Sequence, residues 1–279
     1  MQVTRAAWLS ACLLALAACL PGCTPTRESA PSAGQDTGQA ASGGAPAPGA
    51  IRLWADSALR PAVQAIASRH EARTGQPVAL TFGPSAALRQ RISQGQEADV
   101  FVAAGSTQPQ QLASGGQWQP PAVIAKDSLC LMTAPRLTVA PATALGALLR
   151  ADVRVGAYQP GAEPLGDAFW QLVDRADQLQ SGAHATLTAK VHVLSGGQPL
   201  REELMQGRID AAVQGCIGAG ADAASTALGI TPLPAALDTG LPYTLTWRLK
   251  ASETARQLAQ AMQSPEAAQQ WRALGLQTP

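Results

Sequence analysis

The chain has 279 residues, 46% of them hydrophobic and only 14% charged, a balance that excludes a disordered, highly charged chain. Its 20 Lys and Arg face 19 Asp and Glu, and no basic run of five or more exists, so the footprint of a nucleic-acid-binding protein is absent. The length allows one large domain or two smaller lobes with real cores.

The N-terminal residues read as a processing signal. Arg5 supplies a weak positive start, and residues 6–18 are almost unbroken apolar. That stretch is shorter than the about 20 residues a spanning helix needs. It ends in Leu16-Ala17-Ala18-Cys19, which looks like a lipobox with Cys19 as the acylated residue. A second candidate follows at Leu20-Pro21-Gly22-Cys23, where Pro21 fits the pattern less well, and an ordinary cleaved secretory signal is the alternative. Residues 1–19 are thus expected to be a lipoprotein signal peptide. Residues 20–50, rich in Ala, Gly, Ser, Pro and Thr, are expected to be a disordered tether. The folded part would sit in the periplasm or cell envelope, lipid-anchored to a membrane.

From Ile51 onward apolar runs alternate with helical periodicity. Residues 51–55 read as a strand. Leu59, Val63, Ile66 and Ala67 recur at helical spacing, and Thr74-Gly75 stops that helix. Strands are expected at 77–82, 98–104, 154–158, 190–194 and 209–215, with helices at 86–93, 166–175 and 199–206. A strand at 243–249 precedes two final helices, the second opening with Ser264-Pro265-Glu266: a cap, a first-turn proline and an early acid. Such alternation argues for an α/β fold with parallel sheets.

Cys12, Cys19 and Cys23 lie in or beside the signal, leaving Cys130 and Cys216 in the folded part. Both sit in short apolar runs that look like neighbouring strands, and an exported compartment permits a bridge. Two buried free thiols are the alternative. There is no CxxC, and His70, His184 and His192 do not cluster, so no metal site is expected.

Four strand-to-helix junctions carry small donors where a helix begins. They contain Asp56-Ser57-Ala58, Gly83-Pro84-Ser85, Pro160-Gly161-Ala162-Glu163-Pro164-Leu165 and Ser195-Gly196-Gly197-Gln198. In α/β sheets such junctions gather where ligands bind. Helix N-termini offer unpaired N–H groups and partial positive charge, so several aimed at one point make an anion site without Lys or Arg. Singly, Ser57 and Ser85 read as plain helix caps and Gly196-Gly197 as a turn.

Together these motifs resemble the periplasmic molybdate-binding proteins. The likeness is carried by Ser57-Ala58-Leu59-Arg60-Pro61-Ala62, Thr81-Phe82-Gly83-Pro84-Ser85 and Ala98-Asp99-Val100-Phe101 in the first lobe. In the second it is carried by Pro160-Gly161-Ala162-Glu163-Pro164-Leu165-Gly166-Asp167 and Gly207-Arg208-Ile209-Asp210. The resemblance implies a type II periplasmic binding protein fold, two α/β lobes joined by two crossover strands. Lobe one would comprise 51–127 and a return part at 237–279, and lobe two 128–236. It implies capture of a tetrahedral oxyanion, molybdate or tungstate, by the hydroxyls of Ser57 and Ser85 and the backbone N–H groups of Leu165 and Gly197. Delivery to an inner-membrane ABC permease by a monomer without a cofactor would follow. A subgroup of the family carries cysteines at the equivalents of Cys130 and Cys216, which favours the bridge.

Two departures stand out. An extra residue falls around Asp56-Ser57-Ala58, and Asp56 beside an anion is unfavourable unless it points away. The family's tyrosine ligand on the last second-lobe strand is replaced by Gly215. Another anion or a small organic solute is the rival ligand. A serine hydrolase is the rival class, although Gly83-Pro84-Ser85-Ala86-Ala87 lacks the second glycine of GxSxG.

Overall fold

The computed structural model describes residues 47–195, 199–217 and 227–279. Cys19 and Gly197 lie outside them.

The chain builds two mixed sheets, one after the other and then back. Strand β1 (Ile51–Asp56) leads through one 3₁₀ turn at Ser57–Leu59 into α1 (Arg60–Thr74). Leu59, Val63, Ile66 and Ala67 are buried, as their spacing predicts, and Gly75 ends the helix with a left-handed φ of 68°. Strand β2 (Val78–Gly83), α2 (Ser85–Ser93), β3 (Val100–Ala104), α3 (Thr107–Ser114) and β4 (Ala122–Asp127) follow.

Only Ser128 separates β4 from β5 (Leu129–Thr133), the first strand of the second sheet. Then come α4 (Ala144–Leu149), β6 (Val155–Tyr158), α5 (Pro164–Leu179), α6 (Ala183–Lys190), β7 (His192–Leu194), α7 (Leu200–Met205), β8 (Ala211–Gly215) and β9 (Gly229–Pro232). The chain returns to the first sheet as β10 (Leu241–Trp247) and closes with α8 (Glu253–Ala261) and α9 (Pro265–Ala273).

The first sheet has the order β2-β1-β3-β10-β4 and the second β7-β6-β8-β5-β9. In the first, β1 pairs in parallel with β2 and β3, while the returning β10 is antiparallel to β3 and β4. In the second, β6 is parallel to β7 and β8, while β5 is antiparallel to β8 and β9. The antiparallel strands are the ones next to the crossings between sheets, a consequence of the chain leaving and re-entering.

Both faces of each sheet are covered, so the central strands read as unbroken apolar runs. In β3, Val100, Val102 and Ala104 face one core while Phe101 and Ala103 face another with Trp54 and Leu88. In β5, Leu129 and Leu131 join the large core and Met132 packs with Leu200 and Ile209 on the opposite face. The last helix starts at Ser264 as its sequence predicts, and the one before it is capped in the same way by Ser252. Ser252 Oγ accepts from the Ala255 N–H, and Ser264 Oγ from the Ala267 N–H at 3.2 Å.

Cys130 and Cys216 form a disulfide that clips β5 to the residue just beyond β8. It closes a loop of 86 residues, which in the chain-entropy account stabilises the fold by about 4–5 kcal/mol. Among the described residues no helix is long and apolar enough to cross a membrane.

Candidate functional site

A cavity of about 340 Å³ is walled by strand ends and helix starts from both sheets. The first sheet's side contributes Asp56 from the end of β1, Ser85 from the start of α2, Ala104 from the end of β3, and Tyr243 from β10. The second sheet's side contributes Tyr158 from the end of β6, Glu163 and Leu165 from the start of α5, and Gly215 from the end of β8. Asp127, the last residue of β4, lines it at the crossing. Carboxyl ends of parallel strands are where open α/β sheets receive ligands.

The expected donors distribute unevenly. Ser57 is exposed on the 3₁₀ turn and is not part of the cavity wall; Asp56 is. Ser85 is buried on the wall, but its hydroxyl is engaged. It donates to Asp56 Oδ2 at 2.6 Å and accepts from the Ala104 N–H at 2.9 Å. Asp56 Oδ1 accepts the Ala58 N–H at 3.0 Å. The donors gathered at this junction therefore converge on the protein's own carboxylate. Leu165 lines the cavity as the second residue of α5, so its N–H belongs to the first helical turn, which has no partner within the helix.

Three carboxylates face this space, and each is pushed above its ordinary range. Burial raises Asp56, while hydrogen bonds from Ser85 and Ala58 pull it down. Burial raises Asp127 to about 6, opposed by the Ile217 N–H and reinforced by the charge of Asp238. Burial raises Glu163, and the charge of Asp56 adds to it. Tyr243 is only 2% exposed and its phenol is raised well above the usual range, by burial first and then by the charges of Asp56 and Asp127. Tyr158 is raised too, by burial, against a bond from the Leu200 N–H.

Gly215 and Asp127 account for each other. A Cβ built on Gly215 would stand 2.4 Å from Asp127 Oδ2 and 3.4 Å from Leu241 Cδ2. A tyrosine at this position is incompatible with the carboxylate. The space of the missing phenol is held from the end of β4, in the other sheet, by Asp127, whose Oδ2 also accepts the Ile217 N–H at 3.1 Å.

The two sides also touch outside the cavity. Thr107 Oγ1 at the start of α3 donates to Asp167 Oδ2 in α5 at 2.6 Å, and Asp167 Oδ1 accepts the Gly161 N–H at 2.6 Å. Gly105, with a φ of 72°, comes so close to Pro164 that an added Cβ would sit 3.0 Å from the proline Cβ.

Sequence reasoning missed Asp127, Glu163, Tyr158 and Tyr243. An acid ending a buried apolar run, as at Asp56 and Asp127, was the available signal.

Residues 51–277 match the family described as bacterial extracellular solute-binding protein. The chain belongs to this family of solute-binding proteins. It is 30% identical over 121 residues to the uncharacterized protein PM1146 of Pasteurella multocida, spanning half the length of that relative and 43% of its own. In structure it resembles the sulfate-binding protein SubI of Mycobacterium tuberculosis, with a TM-score of 0.67 at 17% identity over 82% of this chain and 86% of that one. It also resembles the periplasmic molybdate-binding protein of Azotobacter vinelandii, with a TM-score of 0.59 at 20% identity over 82% of this chain and 99% of that one. At such identities the likeness establishes the fold: two α/β lobes of the type II periplasmic binding protein class.

Proposed function

We propose that this solute-binding protein is the extracytoplasmic capture component of an ABC importer, held at the membrane by acylation of Cys19. It closes its two lobes over a small solute in the cavity between Asp56, Asp127 and Glu163, and the closed form is handed to the permease. The observation that carries this reading is the wall itself: Asp56, Ser85 and Tyr243 on one side, Tyr158, Glu163 and Leu165 on the other. A ligand touching both sides favours the closed arrangement and shifts the hinge equilibrium.

A tetrahedral oxyanion, molybdate or tungstate, is the second reading. The unpaired first-turn N–H of Leu165 favours it, as do the molybdate- and sulfate-binding neighbours in fold. Ser57, Ser85 and Gly197 would be its further donors. The carboxylates oppose it. A like-charge pair about 4 Å apart costs roughly 4 kcal/mol at an effective dielectric constant of about 20. The oxyanion therefore requires Asp56 to be protonated or swung away, releasing Ser85.

The experiment is a ligand panel read by thermal shift and calorimetry, containing molybdate, tungstate, sulfate, organic acids, amines and neutral solutes. A ligand at 100 times its dissociation constant adds about 2.7 kcal/mol of stability. A saturable shift from one class supports solute capture, and silence across every class overturns it. The anchor is tested by labelled fatty-acid incorporation into the full chain, which Cys19→Ala abolishes if Cys19 is the acylated residue.

A further inference from the structure

We infer that the captured solute is a small organic cation, carrying a protonated or quaternary nitrogen that lies among the carboxylates of Asp56, Asp127 and Glu163. This rests on the solute-binding reading above and names the charge class of its ligand.

The acids come from three separate elements and from both lobes, so their convergence is a property of the fold rather than of one acidic stretch. No Lys, Arg or His lies among the described residues of the wall. Elsewhere the protein neutralises its buried acids internally. Asp210 meets Arg136 and Arg154, and Glu203 meets Arg208 at 2.5 Å. Asp127 is as buried as these, at 1% exposure, yet neither it, Asp56 nor Glu163 forms an ion pair among the described residues. Three uncompensated carboxylates about one cavity leave a charge deficit that an incoming cation fills.

A second observation points to a ligand independently. Tyr243 is almost fully buried, lines the cavity, and has no side-chain hydrogen bond among the described residues. Its ring is buried while its hydroxyl stays reachable from the cavity, since it is not one of the sealed, unpaired polar atoms of the described residues. It is placed to serve a polar atom that arrives with the solute.

The walls select an organic body over a bare ion. Pro84, Tyr158, Leu165 and Leu241 present apolar surface to the same space. The 340 Å³ volume is far larger than a dehydrated ion fills. Among the described residues no three His, Cys, Asp or Glu side chains are grouped to hold a metal. The upward push on Asp56, Asp127 and Glu163 fits as well, since a bound cation would reverse it.

The test uses the full-length protein at pH 7.5, with putrescine, ethanolamine, choline and arginine set against molybdate, tungstate, sulfate and a neutral sugar. The expected result is saturable stabilisation by at least one amine. Glu163→Gln and Asp127→Asn should each weaken that amine at least ten-fold, with the circular dichroism spectrum unchanged. Glu163 is only partly buried, so its variant removes charge without disturbing the core. Stabilisation by molybdate or tungstate that Glu163→Gln strengthens would overturn the inference while leaving solute capture intact. Stabilisation by the sugar alone would do the same. No shift from any compound, here or in the wider panel, would remove the solute-binding reading itself.

Discussion

The Ser85 hydroxyl donates a 2.6 Å hydrogen bond to the Asp56 carboxylate and accepts another from the Ala104 N–H. One buried hydroxyl thus ties the start of α2 to the ends of β1 and β3. Ser85→Ala leaves the half-buried Asp56 carboxylate and the buried Ala104 N–H each short of a partner. A loss of about 1–3 kcal/mol is expected in urea denaturation. Asp56→Asn keeps the shape and removes the charge. It is expected to weaken amine binding and, if any oxyanion binds, to strengthen that; calorimetry on the two variants separates structural from electrostatic roles.

A side chain at Gly215 meets the Asp127 carboxylate at 2.4 Å, so one of the two must shift. Gly215→Ala is expected to cost about 1–3 kcal/mol through overpacking. The double variant Gly215→Ala with Asp127→Gly should recover much of that loss. A double-mutant cycle that returns simple additivity would refute the coupling.

The pH dependence has a definite sign. Asp127 is raised in the folded protein from 3.8 to about 6. Its contribution to stability is full below pH 4 and is lost as pH rises to about 6, flat thereafter. The upper bound is about 3 kcal/mol for a shift of this size. Asp127→Asn removes this component, so the difference in unfolding free energy between the two proteins should change between pH 4 and 6 and be constant above 7. Amine binding runs the other way, strengthening as pH rises through 6 with release of protons. The other titrating groups on the wall, Asp56 and Glu163, reinforce that direction, since both are raised.

Closure is open to test at Thr107 and Gly105. Thr107→Val removes the hydroxyl that bonds Asp167 across the lobes, and Gly105→Val forces a side chain against Pro164. Both should raise the dissociation constant of any bound solute several-fold. Gly105→Val, which is strained by its φ as well, should have the larger effect. Small-angle scattering of the liganded variants would show a larger radius than the liganded wild type.

The disulfide should be worth about 2–5 kcal/mol. Cys130→Ser with Cys216→Ser, or a reducing agent, is expected to lower the melting temperature.

Much of the architecture was legible because buried parallel strands announce themselves. The runs at Ile51, Val100 and Ala211 are apolar on both faces, and Gly75 and Ser264 punctuate helices by known chemistry. Pairing of Cys130 with Cys216 was readable for a similar reason, since both lie at adjacent apolar runs. The helix at Thr107–Ser114 was not, because Thr, Gln and Ser give it little apolar periodicity. The site was legible only in position. The junctions at Asp56, Ser85 and Leu165 do converge, but the direction of one side chain changes their meaning. Asp56 points inward and absorbs the donors that the motif promises to a ligand. Asp127 gives only a faint signal in sequence, an acid closing an apolar run, because its role depends on a glycine 88 positions later that the fold brings beside it.

Asp127 closes β4, and a single residue later the chain is already in the other lobe. Bending at that crossing moves the carboxylate and the joint as one piece. If the cavity is the solute site, a substitution at this position touches the solute and the joint between the lobes at once, so a change of cargo here would be felt in the timing of opening as well.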